Sequence, residues 1–336
     1  MKYTVIVPVF NAEDTIESCI KSLVNQDHAV YGKDYAILVV DDGSTDRTAE
    51  ILSRLPVPVI RLPKNEGRIV ARLTGAKSAK TEKILFVDAR IAVPNDMVSK
   101  LGDFGRYPAV IGELDAEGGK YETVLSTVLY LIRRKYYGKE NFPMQADELL
   151  ITEKNFKRAP KGTAVLLIER ELFIRLTPER TGKNVNDDTL LFHQLVFQHG
   201  ISLLRSRKLL FKYSQRTDFK QFSSWLFHRG VRFSDFYLRP GGYFFGLFLL
   251  ALSGLLLTLI CTVISLSISP WNLLYIISFA CVLNGMFSIY LSENGRDLLR
   301  TIQGLPLILL IFGAGIVRFW FSSLGAMLKT KLGHSA

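Results

Sequence analysis

The sequence predicts an α/β domain on a mostly parallel central sheet, followed by an interfacial helix and C-terminal transmembrane helices. Three observations carry this. Short apolar runs alternate with stretches of helical period through the first part of the chain, the pattern of strand–helix–strand crossovers. Carboxylates and turn residues follow those runs directly, as in Val39-Val40-Asp41-Asp42-Gly43-Ser44. Beyond Gly241 charge almost disappears, while the 336-residue chain as a whole is 48% hydrophobic with mean hydropathy +0.19. The expected divisions are 1–215, 216–240 and 241–336.

Tyr3-Thr4-Val5-Ile6-Val7-Pro8 reads as a first buried strand. It is too short for the core of a secretion signal, so none is expected. Asn11 opens a helix with Ile16, Cys19, Ile20 and Leu23 on one face. Residues 36–40 form a second strand that ends in the Asp42-Gly43-Ser44 turn, with Ser44, Thr45 or Asp46 as N-cap of a helix over 48–55. A strand at 57–62, a helix at 67–79 burying Val70, Leu73 and Ala76, and a strand Lys83–Val87 ending at Asp88 follow.

After Pro94 the pattern loosens. Strands are expected at 109–114, 163–168 and 201–211, the last interrupted by basic residues. Helices are expected at 121–137, ending in Arg133-Arg134-Lys135, and at 187–199, with Leu190, Leu191, Leu195 and Val196 apolar. Residues 138–160 are polar and irregular, which predicts a loop. Residues 219–238 mix Phe, Trp and Tyr with Arg and His, the composition of an interfacial helix.

Segments 242–268 and 271–291 are each long enough to span a bilayer, and Pro270 and Asn272 make them a hairpin. A third, 305–328, contains Arg318, which would snorkel or face other helices. The net charge is +11, and much of it lies between Arg205 and Arg239. A basic flank beside apolar segments points to membrane lipids rather than nucleic acid, and places the preceding domain in the cytoplasm of a multi-pass cell-membrane protein. Lys329 and Lys331 pull the tail to the same side. Cys19, Cys261 and Cys281 have no metal-ligand or disulfide spacing and read as reduced packing residues.

Ligands of open α/β sheets bind outside the carboxyl ends of the strands. Asp41 and Asp42 stand at such an end and can accept hydrogen bonds from a base N–H or a ribose hydroxyl. The alternative is local: Asp42 makes an Asx-turn and Asp46 caps a helix.

Four motifs, in order, resemble glycosyltransferase family 2: Val5-Ile6-Val7-Pro8-Val9-Phe10-Asn11, Val40-Asp41-Asp42-Gly43-Ser44-Thr45-Asp46, Asn65-Glu66-Gly67 with Ala71-Arg72, and Phe86-Val87-Asp88. These are inverting enzymes with the GT-A fold, a nucleotide-sugar-binding domain. The resemblance covers about the first 90 residues strongly and about 160–230 more weakly. It implies that Pro8, Phe10 and Asn11 line the nucleotide pocket, that Asp41 accepts from the base with Asp42 beside it, and that Arg72 supports the Asp41 region or the diphosphate. The family's Asp-x-Asp is here Asp88-Ala89-Arg90. Either Asp88 holds Mn²⁺ or Mg²⁺ with the diphosphate, or Arg90 pairs with the diphosphate in place of the metal.

Asn186-Asp187-Asp188 stands where the family carries its catalytic carboxylate. Asp188, or failing it Asp187, would take the proton of an acceptor hydroxyl; N-capping is the structural alternative. Gly162-Thr163 resembles the acceptor-side turn. Gln221, Trp225 and Arg229 are similar to the Gln-x-x-Arg-Trp element of processive members, with different order and spacing. Trp225, His228 and Arg229 would close over the diphosphate or anchor at the membrane interface; His193 reads as structural. The resemblance implies transfer of a sugar from a nucleotide sugar, a UDP-sugar, to a hydroxyl of a lipid-linked or cell-surface glycan. The alternatives are a polyprenyl-phosphate acceptor and a catalytically silent nucleotide-binding subunit.

Overall fold

A computed structural model describes residues 1–115, 123–177, 187–214 and 218–333. The chain divides into two units, 1–119 with 133–215, and 120–132 with 216–336.

The first unit begins with β1 (Tyr3–Val9), α1 (Ile16–Val24), β2 (Tyr35–Asp41), α2 (Thr48–Ser53), β3 (Val59–Arg61), α3 (Arg68–Ser78) and β4 (Lys83–Val87). β1 lies between β2 and β4, and β3 pairs β2, all in parallel. Such strands are covered on both faces, which is why they read as unbroken apolar runs. Alternate residues feed two cores: Val5, Val7, Val39 and Leu85 lie in one, Ile6, Val40, Ile84 and Phe86 in the other. α1 buries the four expected residues. α3 presents only part of the expected face: Ala76 is buried as expected, together with Ile69, Ala71, Arg72 and Gly75, whereas Val70 and Leu73 are half-buried. The cause is close approach to the sheet. A Cβ on Gly75 would come within 2.5 Å of Ile6, so the small-residue face docks.

Next come β5 (Ile91–Ala92), α4 (Met97–Lys100), β6 (Ala109–Leu114), α5 (Val124–Tyr137), β7 (Glu148–Ile151), β8 (Val165–Glu169), α6 (Arg170–Leu176), α7 (Asp187–His193) and β9 (Leu203–Tyr213). The sheet has nine strands in the order β3-β2-β1-β4-β8-β6-β9-β5, with β7 on β9. β8 runs antiparallel to β4 with Val165 opposite Val87. The chain entering β8 therefore passes the carboxyl end of β4.

The loop expected at 138–160 is instead part of the domain: β7 adds to β9, and Phe142, Met144, Ile151 and Phe156 are buried. These residues have no regular period, so only tertiary packing reveals them. The basic residue inside the last strand has a similar explanation. Arg205 of β9 pairs with Glu113 of β6, and the side chains are 5% and 3% exposed. Burial pushes Glu113 up from the ordinary carboxylate range, against the pull of Arg205. The helix expected over 187–199 is α-helical to His193 and continues as one π turn, Gln194–Gln198.

The second unit contains α8 (Phe219–Tyr237), α9 (Phe245–Ile268), α10 (Asn272–Leu291) and α11 (Gly295–Gly333). Asp218 caps α8 by accepting from the Gln221 amide at 2.8 Å. Three helical stretches are long and apolar enough to cross a membrane: Phe245–Ile268, Asn272–Leu291 and Gly295–Ser323. The third begins ten residues before the expected 305–328, because Asn294 caps it by accepting from the Asp297 amide at 2.9 Å. Pro306 lies inside it without ending it. α8 and α11 meet backbone to backbone: a Cβ on Gly230 would lie 2.2 Å from the Phe312 carbonyl oxygen, and one on Gly315 2.1 Å from that of Phe227.

Candidate active site

The site is built from the loops that leave β1, β2 and β4. Two of them are stitched together by side chains. Asn11, at φ 47°, accepts from the Thr45 amide at 2.8 Å, and its own amide donates to the Ser44 hydroxyl at 3.0 Å. The Ala12 amide donates to the Thr48 hydroxyl at 2.8 Å. Asp46 accepts from the amides of Thr48 and Glu13 at 3.0 and 3.2 Å. None of the three expected residues is the N-cap of α2: that position is Arg47, which makes no side-chain capping bond, and Asp46 one residue earlier supports the first turn instead. Asn11 is a staple between loops. Phe10 beside it is 42% exposed, and Pro8 is half-buried in β1.

The two carboxylates at the end of β2 have different surroundings. The two oxygens of Asp42 accept from the backbone amides of Glu66 and Gly67 at 2.8 and 3.0 Å. Asp42 thereby fixes the loop that opens α3. Gly43 permits the turn, with φ 69° and with the Lys64 backbone 2.6 Å from where a Cβ would stand. Asp41 is fully buried. Its Oδ1 accepts from the Ser44 amide at 2.9 Å. Its Oδ2 has no hydrogen-bond partner among the described residues and lies 3.5 Å from Nε of Arg61. A buried acceptor left so is costly unless a ligand completes it.

At the end of β4, Asp88 is half-buried and its Oδ1 accepts from the Arg90 amide at 3.0 Å. Its own amide donates to the Ala164 carbonyl at 2.8 Å. This joins the β4 end to the chain entering β8, and the next residue back is Thr163. The Thr163 hydroxyl donates to Oδ1 of Asp188 at 2.7 Å. The same oxygen lies 3.1 Å from Nη1 of Arg72 and 3.7 Å from Nη2 of Arg68. Arg72 also donates to the Thr163 carbonyl at 3.3 Å and lies 5.8 Å above the Phe86 ring. Burial raises the Asp188 pKa, but Arg68, Arg72 and the Thr163 hydroxyl together hold it well below the usual carboxylate range.

The structure thus brings Arg72, Thr163 and Asp188 into one cluster, joined through Ala164 to Asp88. Sequence reasoning missed Arg68, although its spacing of four from Arg72 puts both on one face of α3. The side chain of Asp187 and all of Asn186 lie outside the described residues. His193 stacks on Phe197 with ring centroids 4.6 Å apart, and burial lowers its pKa. Trp225, His228 and Arg229 belong to α8 of the second unit, where the Arg229 guanidinium lies 5.0 Å above the Trp225 ring.

Among the described residues, no group of three or more His, Cys, Asp or Glu side chains is placed to hold a metal ion. Asp88 supplies a single carboxylate there.

The family model for glycosyl transferase family 2 matches residues 4–152. That region carries β1 to β4 with Asp41, Arg72 and Asp88, and stops before Thr163 and Asp188. A dolichol-phosphate mannosyltransferase of Pyrococcus furiosus is 34% identical over 128 residues, covering 36% of each chain. A poly(ribitol-phosphate) beta-glucosyltransferase of Bacillus spizizenii is 38% identical over 112 residues, covering 32% of this chain and 17% of the relative. The chain thus spans about a third of the first relative and about a sixth of the second. The S. aureus TarS 1-349 structure covers 70% of this chain and 66% of its own at 20% identity and TM-score 0.47, a likeness too loose to carry function. Over residues 4–152 the chain is similar to glycosyl transferase family 2.

Proposed function

We propose that the protein is an inverting glycosyltransferase that moves a sugar from a nucleotide-activated donor, a UDP-sugar, to a hydroxyl of a lipid-linked or glycan acceptor at the membrane. The observation that carries this reading is the placement of Asp188, fixed by Thr163 and Arg72 beside the strand end that carries Asp88. In this reading Pro8, Phe10 and Asp41 receive the nucleoside, with Asn11 shaping the loop. Asp41 Oδ2 is the acceptor for a base N–H. Arg72 and Arg90 face the diphosphate.

The transfer is a single in-line displacement. The acceptor oxygen attacks the anomeric carbon, the bond to the diphosphate oxygen breaks, and the hydroxyl proton passes to Asp188. Negative charge grows on the leaving diphosphate, so cations fixed nearby lower the barrier. A divalent ion, Mn²⁺ or Mg²⁺, would supply the same charge and rest on Asp88 and the diphosphate itself. Arg90 stands where a second carboxylate would otherwise strengthen that hold.

The membrane-length helices support an acceptor held in the bilayer, and the basic flank before α9 supports a cytoplasmic transfer domain. Trp225 and Arg229 suit headgroup level.

One observation favours a second reading. A carboxylate held ionised by two arginines is a weak base, which suits an acceptor phosphate that needs none. One relative is named for dolichol phosphate, in line with this reading; the other is named for poly(ribitol phosphate), whose free acceptor groups are hydroxyls. The test is Asp188→Asn. Loss of a positioned base typically lowers turnover about 10²–10⁴-fold, with donor binding retained. Full transfer in a membrane assay by this variant and by Asp187→Asn alike would favour the phosphate acceptor instead.

A further inference from the structure

Asp41 and Arg61 end neighbouring strands and stand opposite each other in the parallel register of β2 and β3. Partners in register project to the same face of a sheet, here at the carboxyl edge where ligands of such sheets bind. Their burial is opposite: the Asp41 side chain is 1% exposed and that of Arg61 58%. The guanidinium is the outer member of the pair, so a base approaching Asp41 Oδ2 meets Arg61 first. It is also held in place. The strand ladder fixes its backbone, continuing through the Leu62 amide to the Asp41 carbonyl at 2.8 Å. Nη2 donates to the Ser44 carbonyl at 3.2 Å. Ser44 is fixed in turn, by its amide on Asp41 Oδ1 at 2.9 Å and by its hydroxyl, which accepts from the Asn11 amide at 3.0 Å. Nε lies 3.5 Å from Asp41 Oδ2, an ion-pair distance too long for a good hydrogen bond. The guanidinium keeps further N–H groups for a ligand. Asp41 and Arg61 thus set one acceptor beside an array of donors.

Resting on the donor reading above, the base presents an N–H to Asp41 Oδ2. In uracil that N–H lies between ring carbonyls, and in guanine a ring carbonyl stands beside it. We propose that Arg61 orients the base: its guanidinium donates to the ring carbonyl next to the N–H that Asp41 accepts. A carboxylate alone holds the N–H but leaves the ring free to swing about that single bond. A second bond to the adjacent carbonyl fixes the ring in its plane, and with it the direction in which the ribose and diphosphate leave the pocket.

The proposal can be tested at the atom concerned, because sulfur in place of a carbonyl oxygen is a weak hydrogen-bond acceptor. Full-length protein in lipid nanodiscs would be titrated by calorimetry with UDP, 2-thio-UDP and 4-thio-UDP, or with GDP and 6-thio-GDP if GDP is the diphosphate it binds. Wild type should bind one thio analogue about threefold more weakly than its parent. Arg61→Met should bind the parent roughly fivefold more weakly and no longer distinguish the two. Arg61→Lys keeps a cation beside Asp41, and carries the comparison alone if Arg61→Met does not fold. It should recover part of the affinity but little of the discrimination, because an ammonium lacks the planar fork. A residue that only neutralised Asp41 would change parent and analogue alike. Discrimination that persists in the variants, or none in wild type, therefore overturns the proposal and leaves the donor reading standing. If wild type binds neither UDP nor GDP, the donor reading itself fails and takes this role of Arg61 with it.

Discussion

Asp41 keeps one buried oxygen without a hydrogen bond among the described residues, whereas Asp42 has both oxygens on backbone amides. Neighbours in sequence, they are held differently: one keeps a buried oxygen without a hydrogen bond, the other is clamped to the loop before α3. Asp42→Ala should therefore cost stability, about 1–3 kcal/mol for each buried amide left without its acceptor. Asp42→Asn, which keeps one acceptor, should cost less. Chemical unfolding of both variants checks this; an unchanged Asp42→Ala midpoint would remove the clamp. At this scale the sequence was informative where chemistry is local. Carboxylates directly after an apolar run, as at Asp41 and Asp88, mark a strand end. The Arg72–Thr163 contact joins residues 91 positions apart, and no local pattern announces it. A carboxylate that clamps a loop, as Asp42 does, looks the same in sequence as one that meets a ligand.

Among elements, legibility followed regularity. β1, β2 and β4 lie between covering layers and read as apolar runs; α1 has a clean helical stripe. α3 was partly rotated in the sequence reading because Gly75 and Ala76, not the larger Val70 and Leu73, meet the sheet. β7 was missed because it is four residues long and mostly exposed, held by pairing with β9. The π turn after His193 has no sequence signature. The α8–α11 crossing makes its own prediction. Gly315→Leu places a side chain against the Phe227 carbonyl, where backbone cannot yield cheaply. Overpacking of this kind costs about 1–3 kcal/mol or more, so the variant should lower the unfolding temperature in detergent. Gly254→Leu, where nothing lies within 4 Å, should not. Equal tolerance of both would mean that the crossing is not held by its glycines.

For the molecule as a whole, the family match ends at residue 152, so it covers β1 to β7 and leaves Thr163 and Asp188 to geometry alone. The central claim, nucleotide-sugar transfer with inversion, is reached most directly through the donor, because hydrolysis needs no knowledge of the acceptor. Full-length protein in nanodiscs would be incubated with UDP-, GDP- and dTDP-sugars, and the first sugar released followed by proton NMR before it mutarotates. The account predicts slow release from one nucleotide class, with the anomeric configuration inverted. Asp41→Asn, which keeps an acceptor for the Ser44 amide but loses the carboxylate at the base, should slow this through weaker donor binding. No consumption of any nucleotide sugar, or release with the configuration retained, would contradict the account.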